Sequence, residues 1–473
     1  MKLPADFVRR VCRLMGEEEG RCLCEALLEE TPVSVRVNTS KCAFVPEGGQ
    51  KVPWCREGYY LPERPTFTFD PLFHAGCYYV QEASSMFLEQ ALRQYVEAPV
   101  AMLDLCAAPG GKSTLARSVL PEGSLLVSNE VMRNRSQILA ENLTKWGDAA
   151  VVVTNSDPSD FGRLGPVFDV MLTDVPCSGE GMFRKDKVAI DEWSEDNVAL
   201  CWQRQRRILR DSWPCLKPGG ILIYSTCTFN REENEDNVAW IARELGAEVL
   251  PLQTEEAWRI TGNLTGEDFP VYRFLPHRTK GEGLFLAVLR KQGESGEAVS
   301  FPAGDNARKR GGKKVKEGKS VPAVAVPKEL QAGLSAGEDF VFTVEGVLAK
   351  AFPARWQGMF QYLKEEVRML HAGVVLGELK GRGWIPHPSL ALSASLSAGA
   401  FPQVELTYGQ AVAYLRKEAV MLDAAVPKGY VLVAYRGCPL GFVKNIGNRA
   451  NNLYPNEWRI RSGYLPEELK MVF

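Results

Sequence analysis

Two short stretches of the sequence each place a cysteine after an apolar run that is typical of a buried strand. TDVPCSGEG, at 173–181, contains Asp174 and Cys177, and YSTCTF, at 224–229, contains Cys227. Ligands of open α/β sheets bind beyond the carboxyl ends of the strands. If the runs FDVMLTD and GILIYSTC are neighbouring strands, both thiols and the carboxylate face one crevice. A thiol and an acid in one crevice predict covalent catalysis.

A third stretch, LDLCAAPGGKSTLA at 103–116, predicts a cofactor site at a turn between a strand and a helix. Its glycines allow close approach to the backbone, and a helix N-terminus offers free N–H groups. A phosphate-loop NTPase is disfavoured, because the first glycine of that motif would fall at position 106, which is cysteine. The dinucleotide pattern G-x-G-x-x-G is absent. The remaining interpretation is the looser glycine turn of an S-adenosylmethionine enzyme.

Acidic residues at the next strand ends strengthen this interpretation. SLLVSNE ends in Glu130, at the place where an acid accepts hydrogen bonds from ribose hydroxyls. After the third strand, Asp157 is placed to contact an adenine edge. Three cofactor-type features at successive strand ends are more specific than any one of them.

A methyl donor, a carboxylate and two thiols suit methylation at carbon 5 of a pyrimidine. A thiolate that adds to carbon 6 makes carbon 5 nucleophilic, and an acid near N3 stabilises the charge that arises on the ring. Enzymes that methylate exocyclic amino groups present Asn/Asp-Pro-Pro-aromatic after this strand, whereas this chain has DVPCS. The chemistry does not choose the nucleophile, and the Pro-Cys of DNA cytosine-5 methyltransferases favours Cys177.

LDLCAAPGGKS, SNE, TDVPCSGEGMFR and YSTCTFNREENE, in this order and spacing, closely resemble the RNA cytosine-5 methyltransferases of the Sun/RsmF type. The resemblance covers roughly residues 1 to 290. It implies that Cys227 is the nucleophile, that Cys177 assists product release and that Asp174 faces the cytosine ring at N3. The S-adenosylmethionine contacts that it implies are Cys106, Ala107, Ala108, Pro109, Gly110, Gly111, Lys112, Glu130, Asp157 and Asp174.

The C-terminal part, with PLGFVKNIGNRANNLYPNEWRIR, resembles the PUA-like module of the bacterial RsmF branch. That branch implies small-subunit ribosomal RNA, or the small subunit itself, as the partner, and a monomer. Transfer RNA is the alternative substrate. A non-catalytic RNA-binding or ribosome-assembly protein is the alternative class, and the intact Cys227, Cys177 and Asp174 argue against it.

The elements around these motifs predict an α/β protein. Between about 100 and 290, strand-like runs alternate with long amphipathic helical patterns, which predicts a Rossmann-like domain with a mostly parallel sheet, seven-stranded in this fold. We expect five segments along the chain. They are a small α+β RNA-binding segment (1–70), the catalytic domain (71–291), a Gly, Pro, Ser and Lys-rich linker (292–327), an intermediate module (328–405) and a PUA-like β-barrel module (406–473).

Clusters of basic residues are candidate phosphate contacts. They are Arg184 and Lys185 before the second long helix, and Arg204, Arg206 and Arg207 on it. A solvated helix face is the alternative. Phe183, Trp193 and Trp202 are candidates for base stacking or for the core. The basic run RKRGGKKVKEGK in the linker is either a solvated linker or an RNA tether.

The composition is that of an ordinary globular protein. The chain has 473 residues, 45% of them hydrophobic, and a formal net charge of −2. The 12 cysteines form no CxxC pair and the four histidines are not clustered, so we expect no metal site. With no apolar run near the ~18–20 residues of a membrane span and no secretory leader, we expect a cytoplasmic protein without a membrane partner.

Overall fold

The chain begins with two helices that are followed by a small antiparallel sheet. The computed structural model describes residues 2–294, 301, 325–335, 339–463 and 470–473. Its first elements are α1 (Ala5–Met15), α2 (Glu17–Ala26), β1 (Val33–Val37), β2 (Gln50–Lys51), β3 (Gly58–Leu61), α3 (Pro71–His74) and β4 (Tyr78–Val80). The strand order is β2-β3-β1-β4. This α+β segment packs against the catalytic domain through the residues that follow β4.

The catalytic domain alternates strands and helices as predicted. Its elements are α4 (Leu88–Tyr95), β5 (Ala101–Asp104), α5 (Gly111–Val119), β6 (Leu125–Asn129), α6 (Arg133–Trp146), β7 (Val151–Thr154), α7 (Pro158–Gly162), β8 (Phe168–Asp174), α8 (Lys187–Glu192), α9 (Glu195–Ser212), β9 (Leu216–Thr226), α10 (Glu235–Glu244), β10 (Ala247–Leu250), β11 (Tyr272–Phe274) and β12 (Leu284–Lys291).

Five parallel strands form the middle of the domain's sheet, in the order β9-β8-β5-β6-β7. β12 pairs antiparallel with β9, and both β10 and β11 pair with β12. The strands β5, β6 and β7 are buried along their whole length, because helices cover both faces of the sheet. One apolar core lies between the sheet and α4, α5 and α6, and the other lies under α9 and α10.

The C-terminal part contributes two further sheets and one strand to the central sheet. Its elements are α11 (Lys328–Gln331), β13 (Phe340–Glu345), β14 (Leu348–Pro353), α12 (Gln357–Glu366), β15 (Met369–Ala372), β16 (Val374–Lys380), β17 (Gly383–Pro386), α13 (Pro388–Ala391), β18 (Gln403–Glu405), α14 (Tyr408–Leu415), β19 (Gly429–Tyr435), β20 (Cys438–Asn445) and β21 (Ala450–Asn452). The two sheets have the orders β13-β14-β16-β17 and β18-β19-β20-β21.

The structure departs from the predicted architecture at two points. The central sheet has nine strands rather than seven, because β11 pairs with β12 and β15 pairs antiparallel with the edge strand β7. Among the described residues, the closing module is an open four-stranded sheet and not a closed barrel. Most of the predicted linker 292–327, including its basic run, lies outside the described residues.

Within the same ranges, no helix has both the length and the apolar character needed to cross a lipid bilayer.

Candidate active site

A cavity of about 280 Å³ lies at the carboxyl ends of β5, β8 and β9. One wall comes from the loop after β5, a second from the loops that carry the two cysteines, and a third from β4 and the residues that follow it. The residues that line it are Tyr79, Val80, Gln81, Glu82, Ser85, Asp104, Cys106, Ala107, Ala108, Pro109, Gly111, Lys112, Asp174, Gly181, Met182, Lys185, Cys227, Glu282, Gly283 and Leu284.

The two predicted cysteines meet beside this cavity. β8 and β9 are parallel neighbours with Asp174 opposite Ser225, which confirms the predicted adjacency of the two strands. The sulfur atoms of Cys177 and Cys227 are 3.2 Å apart. The hydrogen bond to Cys227, followed by burial and the charge of Cys227, raises the pKa of the Cys177 thiol well above its ordinary value. The raised pKa favours Cys177 as the protonated partner of this thiol pair.

A buried lysine lies against the carboxylate of this site. The Nζ of Lys112 is 2.8 Å from Oδ2 of Asp174, and the hydroxyl of Ser225 donates to Oδ1 at 2.8 Å. Burial acts to lower the pKa of Lys112, but the charge and hydrogen bond of Asp174, together with Cys227, outweigh it and raise that pKa. The raised pKa favours the charged form of Lys112 beside Asp174.

A network of buried polar side chains, which sequence reasoning missed, ties the two cysteine loops together. Glu233 accepts from the backbone N–H of Ser178 at 3.0 Å, one residue after Cys177. Glu180 accepts from the N–H groups of Phe229 and Asn230 at 2.7 and 3.0 Å, just after Cys227. The amide of Asn230 donates to both carboxylates. The only sequence signal for this network was the run of acids in NREENE. Such a run is as typical of an exposed surface as of a buried polar network.

The glycine turn is built to receive an anionic or polar group. Gly110 precedes α5 with φ = 113°, and a Cβ there would lie 3.3 Å from Cδ1 of Leu139, so a side chain would be both strained and crowded. In the part of the chain that the structure describes, no side chain caps α5. Its first N–H groups are therefore free at the cavity, where they fit the carboxylate of an amino-acid moiety.

Asp104, at the end of β5, is a second residue that sequence reasoning missed. Its carboxylate is fully buried and lines the cavity, and Oδ2 accepts from the hydroxyl of Ser113 at 2.6 Å. Oδ1 has no hydrogen-bond partner among the residues that the structure describes. Burial raises the pKa of Asp104 to about 7. An orphaned buried acceptor beside a free helix N-terminus fits the ammonium and carboxylate groups of one amino-acid moiety, such as that of S-adenosylmethionine.

Comparisons with known proteins identify the family of this chain. The family description "16S rRNA methyltransferase RsmB/F" matches residues 94–290, the N-terminal domain of 16S rRNA methyltransferase RsmF matches 3–83, and the RsmF PUA domain matches 401–460. The ribosomal RNA small subunit methyltransferase F of Klebsiella pneumoniae is 32% identical over 450 residues, and that of Citrobacter koseri is 33% identical over 457. Each alignment covers 91% of this chain and 91% of the relative. The chain belongs to the RsmB/F methyltransferase family.

Solved structures support the fold of this RsmB/F family member. A methyltransferase homolog protein of Pyrococcus horikoshii is 28% identical, with a TM-score of 0.51, and the match covers 61% of this chain and 100% of that one. NSun6 of Pyrococcus horikoshii, solved with SFG, matches with a TM-score of 0.53 over 62% of this chain and 99% of that one, and its 20% identity speaks to the fold alone. The predicted resemblance is confirmed: the protein is an RNA methyltransferase, and its family is one of S-adenosylmethionine-dependent enzymes.

Two acids predicted as cofactor contacts in this RsmB/F enzyme are not among the residues that line the cavity. Glu130 follows β6, where it accepts from the N–H of Met132 at 2.8 Å and lies 3.3 Å from Arg135. Asp157 caps α7, and the N–H and hydroxyl of Ser159 lower the pKa of its carboxyl group. Both remain proposed cofactor residues.

The predicted RNA contacts of the RsmB/F chain fall into two groups. Arg184 donates to the carbonyls of Glu29, Glu30 and Gly281, and Arg206 donates to Asn237, so both link elements of the protein. Lys185 is ion-paired with Glu282 at the cavity. Arg204 and Arg207 are exposed on α9 and stay candidates for phosphate contacts.

The three candidate aromatics near these basic residues differ in their environment. Phe183 and Trp193 pack on Phe7 in the core. Trp202 lies under Arg206, whose guanidinium is 4.2 Å from the ring centroid.

Proposed function

We propose that this enzyme transfers a methyl group from S-adenosylmethionine to carbon 5 of a cytidine in 16S ribosomal RNA, through a covalent bond between Cys227 and carbon 6. The observation that carries the proposal is the pair of thiols 3.2 Å apart beside the Lys112–Asp174 ion pair. Enzymes that methylate a nitrogen need neither thiol. The family of this chain, whose relatives are named for small-subunit ribosomal RNA, supports the choice of RNA.

The cofactor is held, in this proposal, by the loop after β5. The N–H groups at the start of α5 would take its carboxylate, Oδ1 of Asp104 would accept from its ammonium group, and Glu130 and Asp157 would hold the ribose and adenine. When bound, S-adenosylmethionine would supply an electrophilic methyl group. The residues Cys106 to Lys112 would hold it on the side of the cavity that faces Cys227.

Four residues of the chain have separate roles in the reaction at the base. Cys227 adds as a thiolate to carbon 6, and Asp174 with its partner Lys112 faces N3 and stabilises the charge that builds up on the ring. Once carbon 5 is methylated, its proton leaves to a base and the electrons of that bond restore the ring double bond as the bond between Cys227 and carbon 6 breaks. Cys177 donates a hydrogen bond to the departing sulfur of Cys227, which assists release.

The roles of the two thiols are separable by mutation. We expect Cys227→Ala to abolish both methyl transfer and any covalent RNA adduct, because the nucleophile is gone. We expect Cys177→Ala to keep addition and to slow release, so that an RNA–protein adduct accumulates on denaturing gels. An adduct in Cys227→Ala, or none in Cys177→Ala, would contradict the assignment.

Bisulfite sequencing of ribosomal RNA tests the substrate. In a strain that lacks the gene, at least one cytosine of 16S ribosomal RNA should lose its protection from conversion, and the wild-type gene should restore it. The Cys227→Ala gene serves as the matched control and should not restore it. Unchanged conversion throughout 16S RNA would overturn this substrate.

A further inference from the structure

A buried carboxylate forms part of the cavity wall next to the nucleophile and has no role in the chemistry described above. Glu282 precedes β12, where Phe285 pairs with Thr226, the residue before Cys227. Its side chain is only 6% exposed, and it lines the cavity. A Cβ on the adjacent Gly283 would lie 2.8 Å from the ring of Phe229, so the segment lies close against the loop after Cys227. Glu282 is thus held in the cavity wall beside the loop that carries Cys227.

The surroundings of Glu282 fix one of its oxygens and leave the other free. Its backbone N–H donates to Oε1 of Glu82 at 3.0 Å, and its Oε1 is ion-paired with Lys185. Among the described residues, Oε2 has no partner. Burial raises the pKa of Glu282, and the charge of Lys185 acts against that rise. Oε2 is not among the buried atoms that lack a partner, so it stays accessible from the cavity. A carboxylate oxygen open to the cavity would bind a ligand that brings an N–H to this wall.

Cytosine and uracil, the two pyrimidines of RNA, differ in the group at carbon 4. Cytosine carries an amino group at carbon 4, which donates, whereas uracil carries a carbonyl oxygen there, which only accepts. Both oxygens of Asp174 already accept hydrogen bonds, from Lys112 and Ser225. The proposed function assigns the other unpartnered oxygen that the described residues place in this wall, Oδ1 of Asp104, to the ammonium group of the cofactor, which leaves Oε2 of Glu282 for the base. A carboxylate attracts the amino group and repels the carbonyl.

We propose that Glu282 accepts a hydrogen bond from the exocyclic amino group of the target cytosine and so selects cytidine over uridine. The inference rests on the proposed function, since it assumes that a cytosine enters this cavity. Lys185 acts as a positioning residue, which holds Glu282 by one oxygen and leaves the other to the base.

Binding of two matched RNAs tests the inference without turnover. One RNA carries the cytidine mapped by bisulfite sequencing, and the other carries pyrimidin-2-one ribonucleoside there, which lacks only the amino group. Full-length Cys227→Ala protein, with S-adenosylmethionine present, is used so that no adduct forms. We expect this protein to bind the cytidine RNA roughly tenfold or more tightly, the effect of a hydrogen bond to a charged group.

Variants of Glu282 in the Cys227→Ala protein then test whether Glu282 recognises the amino group. Glu282→Met, which keeps the length of the side chain, and Glu282→Ala should both bind the two RNAs equally, while Glu282→Gln, which keeps an acceptor, should retain part of the preference. Glu378→Gln, on a surface ion pair with Lys380, is the matched control and should keep all of it. A preference that survives in the Met and Ala variants, or that is absent with Glu282 intact, would overturn the inference. If the wild-type enzyme does not methylate cytosine in this RNA, the proposed function itself is overturned.

Discussion

At the scale of single residues, Asp104 is an acid whose buried carboxylate is only partly compensated by hydrogen bonds. It is fully buried, and one of its oxygens has no partner among the described residues. Burial is the main cause of its raised pKa, the hydroxyl of Ser113 opposes the rise, and Asp174 adds to it. Without a cationic ligand, the folded protein therefore carries an unmatched negative charge above about pH 7. In the proposed function, this cost to the stability of the free enzyme is offset when the ammonium group of the cofactor binds to Asp104.

Asp104→Asn is expected to stabilise the ligand-free enzyme in a pH-dependent way. The pKa of Asp104 rises from 3.8 to about 7 on folding, so the wild-type enzyme loses stability as pH rises from about 4 to about 7, and no more above that. The variant should be more stable at pH 8 by on the order of 4 kcal/mol. Urea denaturation at several pH values measures the difference.

Two further measurements complete this test. The exposed Asp191→Asn should show no pH-dependent difference from the wild-type enzyme. Saturating S-adenosylmethionine should stabilise the wild-type enzyme more than Asp104→Asn. A stability difference that is constant from pH 4 to 8 would contradict the account.

Site residues that follow a recognisable apolar strand could be predicted from the sequence. A residue whose importance comes from an unsatisfied hydrogen-bond acceptor could not. Cys177 and Cys227 were found because each follows a recognisable strand, and the adjacency of those strands brought them together. Asp104 also ends a strand, yet LDLC gives no sign that one of its oxygens lacks a donor. Glu180 and Glu233 were missed because their burial depends on a loop folded over them.

At the scale of elements, the start of α5 is the proposed support of the cofactor. We expect Gly110→Ala to cost about 1–2 kcal/mol of unfolding free energy, because an L side chain is strained at φ = 113°. It should also weaken binding of S-adenosylmethionine at least tenfold, since relief of the contact with Leu139 moves the turn. Thermal unfolding and isothermal titration measure the two effects.

Gly266→Ala is the matched control for Gly110. Gly266 has φ = 77°, and no atom lies within 4 Å of the place that a Cβ would occupy there, so the variant should lose stability and keep its cofactor affinity. Equal affinity in both variants would show that the turn does not position the cofactor.

The buried network between the cysteine loops makes a second prediction at this scale. Asn230→Asp replaces an amide that donates to Glu180 and Glu233 with a third carboxylate. The pKa of Glu233 is already raised to about 7 by burial, so a further negative charge should destabilise the fold by about 3 kcal/mol at pH 8 and by less at pH 5. Denaturation at both pH values tests this. Asn456→Asp, on an exposed loop, should change neither value.

The strands of the catalytic domain were predictable because each is an apolar run between turn residues. FDVMLTD and LFLAVLRK coincide with β8 and β12. β15 was missed, since MLHA is short, lies next to β16 and gains its strand conformation by pairing with β7, far away in the sequence. Such tertiary pairing leaves no local signal.

At the scale of the whole molecule, the N-terminal segment completes the active site. Arg36, on β1, is 1% exposed and donates to Gln81 at 2.9 Å and to Thr114 of α5 at 2.6 Å. Its guanidinium lies 4.5 Å from the ring centroid of Trp146, at the end of α6. One side chain therefore connects the small sheet, the cavity wall and the cofactor helix.

Arg36→Lys is expected to weaken cofactor binding from a distance. An ammonium group cannot make these divergent contacts together, so α5 loses its tie to β4 and its neighbours. We expect a loss of about 2 kcal/mol of stability, within the range for a buried charged hydrogen bond, and a several-fold weaker affinity for S-adenosylmethionine. Arg163→Lys, at an exposed ion pair, is the control. Unchanged affinity in Arg36→Lys would show that the two sheets act independently.

The pairing of β15 with β7 also determines how long the edge of β7 stays uncovered while the chain is synthesised. β7 ends at Thr154, and the strand that covers its edge begins at Met369. At synthesis rates of about 5–20 residues per second, the edge of β7 waits on the order of ten seconds or more before its partner is translated. During this interval the nascent chain presents an open strand edge to its neighbours on the same polysome. Holding chaperones would therefore act on this chain after the catalytic strands have emerged and before residue 372 has done so.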